Sequence, residues 1–141
     1  MVIVALKMTP MNSTPNDDHS AAALNVRGCA LCEQAQFAQA LDTFDQAIAI
    51  DDRYCTLWNN RANALCGLNR QAEALAAYDR AVALDAQYHQ AWFNRGKLLA
   101  EIGAYGNAVE SYDRAIALEA DPIYLHARAN IWVKKQLFAT A

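Results

Sequence analysis

Between residues 21 and 122 the apolar positions recur every three to four residues instead of alternating. That spacing is the period of helices with one buried face. Alanine and leucine, both strong helix formers, fill most of these positions. Pro10, Pro15 and Pro122 leave residues 16–121 free of proline, and strand-like Val/Ile alternation occurs only in the first few residues. The pattern predicts an all-α chain.

Sliding the chain against itself shows a second, longer period. Arg27, Arg61 and Arg95 are 34 residues apart, and the same shift aligns Leu24 with Trp58 and Trp92. It also aligns Phe44 with Tyr78 and Tyr112, and Ala47 with Ala81 and Ala115. Three units follow, 21–54, 55–88 and 89–122, with an N-terminal extension over 1–20 and a C-terminal helix over 123–141. Large residues recur at unit positions 4, 11 and 24 (Leu24/Leu31/Phe44, Trp58/Leu65/Tyr78, Trp92/Leu99/Tyr112). Small ones recur at positions 8, 20 and 27 (Gly28/Ala40/Ala47, Ala62/Ala74/Ala81, Gly96/Ala108/Ala115).

This arrangement resembles the tetratricopeptide repeat (TPR) family over the three units. The resemblance implies a right-handed α-solenoid of three helix-turn-helix units, each an A helix followed by an antiparallel B helix, closed by a C-terminal capping helix. Small residues at 8 and 20 would bring A and B backbones to the short end of the usual ~8–10 Å separation. No unit can bury its apolar face alone, so stability comes from stacking neighbours. Gly67 and Gly103 are expected to supply the left-handed turn between A and B; the first unit has Gln34-Ala35-Gln36 there. Two features depart from the family pattern. Position 32 is Asp52, Ala86 or Ala120 in place of proline, and position 7 is arginine where the family is usually apolar. With Asp45, Asp79 and Asp113 in register, the arginines suggest a structural Arg–Asp ladder. Asp121-Pro122 reads as the N-cap and first residue of the final helix.

The 141 residues carry a net charge of −3 and an apolar fraction of 55%. This balance gives no electrostatic reason to expect nucleic acid as a partner. No apolar run is long enough to span a membrane. The expected location is cytoplasmic, with the four cysteines as reduced thiols. Cys29-x-x-Cys32 is a possible half of a metal site, but no second pair stands at ligand spacing, so neither metal nor cofactor is expected. His19, His89 and His126 are isolated, and no phosphate loop or nucleophile–base arrangement appears. An enzyme is not expected.

The resemblance implies a protein-interaction adaptor that binds a peptide or partner protein in a concave groove lined by the A helices. Carried onto this chain, the groove residues are Asn25, Cys29, Asn59, Asn60, Asn63, Gln90, Phe93, Asn94, Lys97 and Glu101, with Val26, Cys32, Glu33, Thr56 and Cys66 beside them. A primary amide both donates and accepts, which suits it to gripping peptide backbone, and Asn60 and Asn94 share a unit position. TPR domains that grip the acidic C-terminus of heat-shock chaperones use a carboxylate clamp of Lys and Asn/Arg. Its positions here hold Asn25, Cys29, Asn60, Gln90 and Asn94, and only Asn60 fits. In the last helix Trp132, Val133, Leu137 and Phe138 exceed one buried stripe. Trp132 and Phe138 therefore mark a candidate association surface, for a second copy or another protein. That gives an alternative role, a structural or assembly-factor subunit that works through its outer face and C-terminal helix.

Overall fold

The structure, a computed structural model, describes residues 19–140. Among them are seven helices and no strand: α1 (Ala21–Glu33), α2 (Phe37–Ile50), α3 (Cys55–Gly67), α4 (Gln71–Leu84), α5 (His89–Ile102), α6 (Tyr105–Leu118) and α7 (Pro122–Thr140). Each helix packs on the next, and the A helices also meet, α1 on α3 and α5 on α7. Contact between α3 and α5 is sparser. Residues 1–18 of the N-terminal extension, and Ala141, lie outside the described residues.

Helix ends are set by local chemistry. Ser20 caps α1, its Oγ accepting from the Ala23 N–H at 3.0 Å. Asp121 caps α7, its carboxylate accepting from the Ile123 N–H at 2.8 Å, just ahead of Pro122, whose missing N–H costs nothing in the first turn. Between A and B helices the chain turns through one left-handed residue: Ala35 (φ 59°), Asn69 (φ 59°) and Gly103 (φ 94°). Gly67 therefore does not make the turn expected of it. It stays helical, and its lack of a side chain serves packing: a Cβ there would lie 2.5 Å from the Phe37 ring. The left-handed position falls two residues later, on an asparagine, which tolerates it.

Small and large positions interlock. The Phe44 ring lies against Gly28, where a Cβ would be 2.4 Å away, and Tyr112 sits in the same way on Gly96, at 2.7 Å. Ala40, Ala62, Ala74 and Ala108 are fully buried, so the A and B backbones run close at every unit. Leu24, Leu41, Phe44, Leu57, Leu65, Tyr78 and Leu98 form one core through the first two units and into the third. Leu99, Val109, Tyr112 and Ile131 continue it under α7. Each such side chain contributes roughly 1.5–3 kcal/mol by leaving water.

The arginines at position 7 bind the acidic residue of the preceding unit. Arg61 Nε meets Asp45 Oδ1 at 2.6 Å, Arg95 Nε meets Asp79 Oδ1 at 2.6 Å, and Arg128 of α7 meets Asp113 at 2.8 Å. Arg95 also donates to the buried Ser111 hydroxyl at 2.6 Å. The Trp58 and Trp92 indoles donate to the carbonyls of Asp52 and Ala86, at 2.8 and 2.9 Å. Arg80 and Arg114 lie over those two rings.

Candidate functional site

A helices present their polar side chains on the face away from the B helices, and on α1, α3 and α5 that face is rich in amides. The amides are turned to one another. Asn94 donates to Asn59 Oδ1 at 3.2 Å, Asn59 to Asn60 Oδ1 at 3.4 Å, and Asn60 to Asn25 Oδ1 at 2.7 Å and to the Cys29 sulfur at 3.3 Å. The result is a head-to-tail chain of four amides across three repeats, its two cross-helix links each donating toward the N-terminal unit and the Asn59–Asn60 link lying within α3. Asn59 is buried, at 5% exposure, and burial raises the neighbouring Tyr88 phenol above its ordinary value, Thr56 and Asn59 opposing the shift. Spacing alone placed these asparagines as separate rungs facing a ligand. In the structure most of their bonding capacity is spent tying A helix to A helix.

Where α3 and α5 separate, a cavity of about 140 Å3 opens, lined by Asn63, Cys66, Tyr78, Asn94, Lys97, Leu98 and Glu101. Tyr78, Cys66 and Leu98 give it apolar walls, while Asn63, Asn94, Lys97 and Glu101 supply polar groups. The Tyr78 hydroxyl donates to Asn63 Oδ1, and the Cys66 thiol stands 3.8 Å from the same hydroxyl. Because Asn63 and Asn94 each use one end of the amide in these bonds, the Asn63 NH2 and the Asn94 carbonyl stay open to a ligand.

Electrostatically the cavity is nearly balanced. Burial pushes the Tyr78 phenol far above its ordinary value, with Cys66 and Glu101 adding to the effect. Burial likewise raises the Cys66 thiol; Tyr78 and Lys97 oppose the shift and Glu101 reinforces it. Lys97 Nζ rests 5.5 Å above the Phe93 ring. The α1 thiols Cys29 and Cys32 are both raised by burial, with Glu33 contributing. All four cysteines are free. No group of three His, Cys, Asp or Glu side chains positioned to hold a metal occurs among the described residues.

The cavity thus brings together Asn63, Asn94, Lys97 and Glu101 from the expected groove. Asn25, Cys29, Asn59 and Asn60 lie along the amide chain, and Gln90 is exposed near the start of α5. Phe93, expected as a free groove surface, is instead stacked on Tyr124 of α7, with ring centroids 4.4 Å apart, and tilted against Tyr112 at 5.5 Å. The capping helix claims that ring. Trp132 is 46% exposed, and the side chain of Phe138 lies outside the described residues. Tyr78 and Leu98 were not anticipated as cavity residues. The unit position of Tyr78 reads as core filler, and only its hydroxyl, which needs a partner when buried, points elsewhere; the position of Leu98 is not one that the repeat marks.

Paired helices repeating every 34 residues, with a polar face of A helices and a cavity between two of them, define a helical repeat protein. Residues 62–103 match the family described as TPR repeat, and residues 89–122 match the Tetratricopeptide repeat family. Residues 62–122 carry tetratricopeptide repeats. Its fold is similar to the first TPR of Spaghetti (RPAP3) bound to HSP90 peptide SRMEEVD, with TM-score 0.78 and 26% identity over 87% of this chain and 96% of that one. It is similar to the first TPR domain of human RPAP3, with TM-score 0.79 and 26% identity over 86% of this chain and 94% of that one. The Sgt2 TPR domain from Aspergillus fumigatus shares the fold at TM-score 0.83 and 20% identity, over 94% and 89% of the two chains. No curated protein matches this chain in sequence. No helix among the described residues is long and apolar enough to cross a membrane.

Proposed function

We propose that this chain is a protein-interaction adaptor whose A-helix face holds an extended segment of a partner protein, centred on the cavity between α3 and α5. One observation carries the reading: four residues expected on the groove, Asn63, Asn94, Lys97 and Glu101, line one cavity, with open amide groups beside apolar walls. A space of this size fits one side chain of a bound peptide. Its stem would lie against Tyr78, Cys66 and Leu98, and its polar end near Lys97 and Glu101. The 26% identical Spaghetti domain, in complex with an HSP90 peptide, supports a peptide ligand.

The chemistry of that ligand differs from an acidic tail. The carboxylate-clamp positions Asn25, Cys29, Asn60, Gln90 and Asn94 hold no cation, and Asn60 is committed to Asn25 and Cys29. A terminal carboxylate would meet neutral amides and a thiol where charge-assisted bonds are needed.

The test is photo-crosslinking with the full chain in its native cell, from positions 97 and 101 on the A-helix face and from positions 42 and 76 on the B helices, read by mass spectrometry. Crosslinks from 97 and 101 to one linear segment of a partner, lost when Asn63→Ala/Asn94→Ala is added, are expected. Crosslinks confined to 42 and 76 would reject the groove.

A further inference from the structure

The last helix keeps the register of an A helix. Arg128 bonds Asp113 as Arg95 bonds Asp79 and Arg61 bonds Asp45. Counting from these arginines, Tyr124 takes the place of Leu57 and Ala91, and Ile131 that of Ala64 and Leu98. All six are buried, the stripe facing the preceding unit. A second stripe follows from the same count. Leu125 corresponds to Trp58 and Trp92, Ala129 to Gly28, Ala62 and Gly96, and Trp132 to Leu65 and Leu99. In the complete units this stripe is covered by the unit's own B helix, with Phe44 seated on Gly28 and Tyr112 on Gly96. On α7 it is bare: Leu125 is 39%, Trp132 46% and the neighbouring Val133 60% exposed, and Ala129 is exposed as well.

We infer that the Leu125–Ala129–Trp132 stripe is the docking site for an acidic amphipathic helix of another protein, seated on α7 as a B helix seats on the A helix in the other units. Two features specify that helix. The first is shape. Each B helix of this chain carries a small residue, an aromatic four residues on, and a small residue three further: Ala40/Phe44/Ala47, Ala74/Tyr78/Ala81, Ala108/Tyr112/Ala115. The aromatic ring needs a small residue beneath it, and Ala129 provides one. The second is charge. Between Pro122 and Thr140, α7 has Lys134 and Lys135 besides the Asp113-bound Arg128, and no acidic residue, in a chain of net charge −3. Two copies joined through α7 would bring like charges together, whereas an acidic helix would neutralise them. The stripe lies apart from the α3–α5 cavity, so this inference stands independently of the groove.

The probe is a hydrocarbon-stapled helix with the sequence of residues 37–50, which carries the Ala40/Phe44/Ala47 pattern, Asp42 and Asp45, and no cation. Calorimetric titration into the full chain should show one-to-one binding that weakens as salt rises. Ala129→Phe fills the seat for the ring and should weaken binding at least tenfold, as should Phe44→Ala in the peptide. Lys134→Glu/Lys135→Glu should also weaken it. All three protein positions are exposed, so circular dichroism melts should match the parent. Absence of binding, or equal affinity in Ala129→Phe, would overturn the inference. So would a stable dimer in light scattering that Trp132→Ser dissociates, since the stripe would then belong to a second copy.

Discussion

Asn60 of the second repeat donates to Asn25 of the first at 2.7 Å, and its own carbonyl accepts from Asn59 at 3.4 Å. One side chain thus joins two A helices and continues a hydrogen-bonded series to Asn94. Asn60→Ala removes the central link and leaves Asn25, Asn59 and Cys29 each short of a partner. The expected loss is about 1–2 kcal/mol in urea unfolding, with little change in helicity. An unchanged midpoint would mean that water replaces these bonds at no cost.

The arginine ladder should be felt unevenly along the chain. Arg95 binds Asp79 and the buried Ser111 hydroxyl, whereas Arg61 binds Asp45. Among the described residues no B helix precedes Arg27, which is exposed. Since the aspartates are about half exposed, each ion pair by itself is worth ~1 kcal/mol or less. Arg95→Ala should cost the most, because Ser111 is left buried without its donor. Arg61→Ala should cost less, and Arg27→Ala close to nothing. Thermal melts of the three variants would show this order or refute the assignment.

Ala35 sits at φ 59°, a conformation that costs a non-glycine residue roughly 1–2 kcal/mol. Glycine there gives back part of that through the entropy of the unfolded chain, about 0.5–1 kcal/mol. Ala35→Gly should therefore stabilise the protein by about 0.5–1 kcal/mol, measurable as a higher urea midpoint at unchanged slope. A drop in midpoint would show that the turn is not strained.

Cys29 and Cys32 have raised thiol pKa values from burial, and Glu33 adds to both shifts. A raised pKa means less thiolate at pH 8, so both should alkylate with iodoacetamide more slowly than glutathione and gain rate as pH climbs. Glu33→Gln removes a negative charge that disfavours thiolate. It should speed Cys29 and Cys32 while leaving Cys66, whose shift has other causes, unchanged. Equal acceleration at all three would point to general loosening instead.

The period of arginines and small residues made much of this architecture readable before any coordinates. Position 8 must be small for the ring at position 24 to seat, and position 7 must find an acid on the preceding unit. Both demands recur every 34 residues. What escaped detection lies where the period slips or where side chains choose among partners. The linker 119–121 is one residue shorter than 51–54 and 85–88, so a strict 34-residue slide passes over Arg128 and hides the A-helix register of α7. Residue spacing places Asn59, Asn60 and Asn94 on one face, but an amide binds whatever lies nearest, and only coordinates show that this is another amide. Ala35 carries no sign of a left-handed turn, because stacking of the flanking helices imposes it against the residue's own preference.

The uneven spacing of the A helices gives the molecule an uneven stiffness. Direct contact between A helices is fuller at α1–α3 than at α3–α5, where Leu98 shares the core of α3, the Asn94–Asn59 bond crosses and the B helix lies between. A coil of this kind bends where its turns touch least. Small changes of curvature should therefore concentrate at the middle seam.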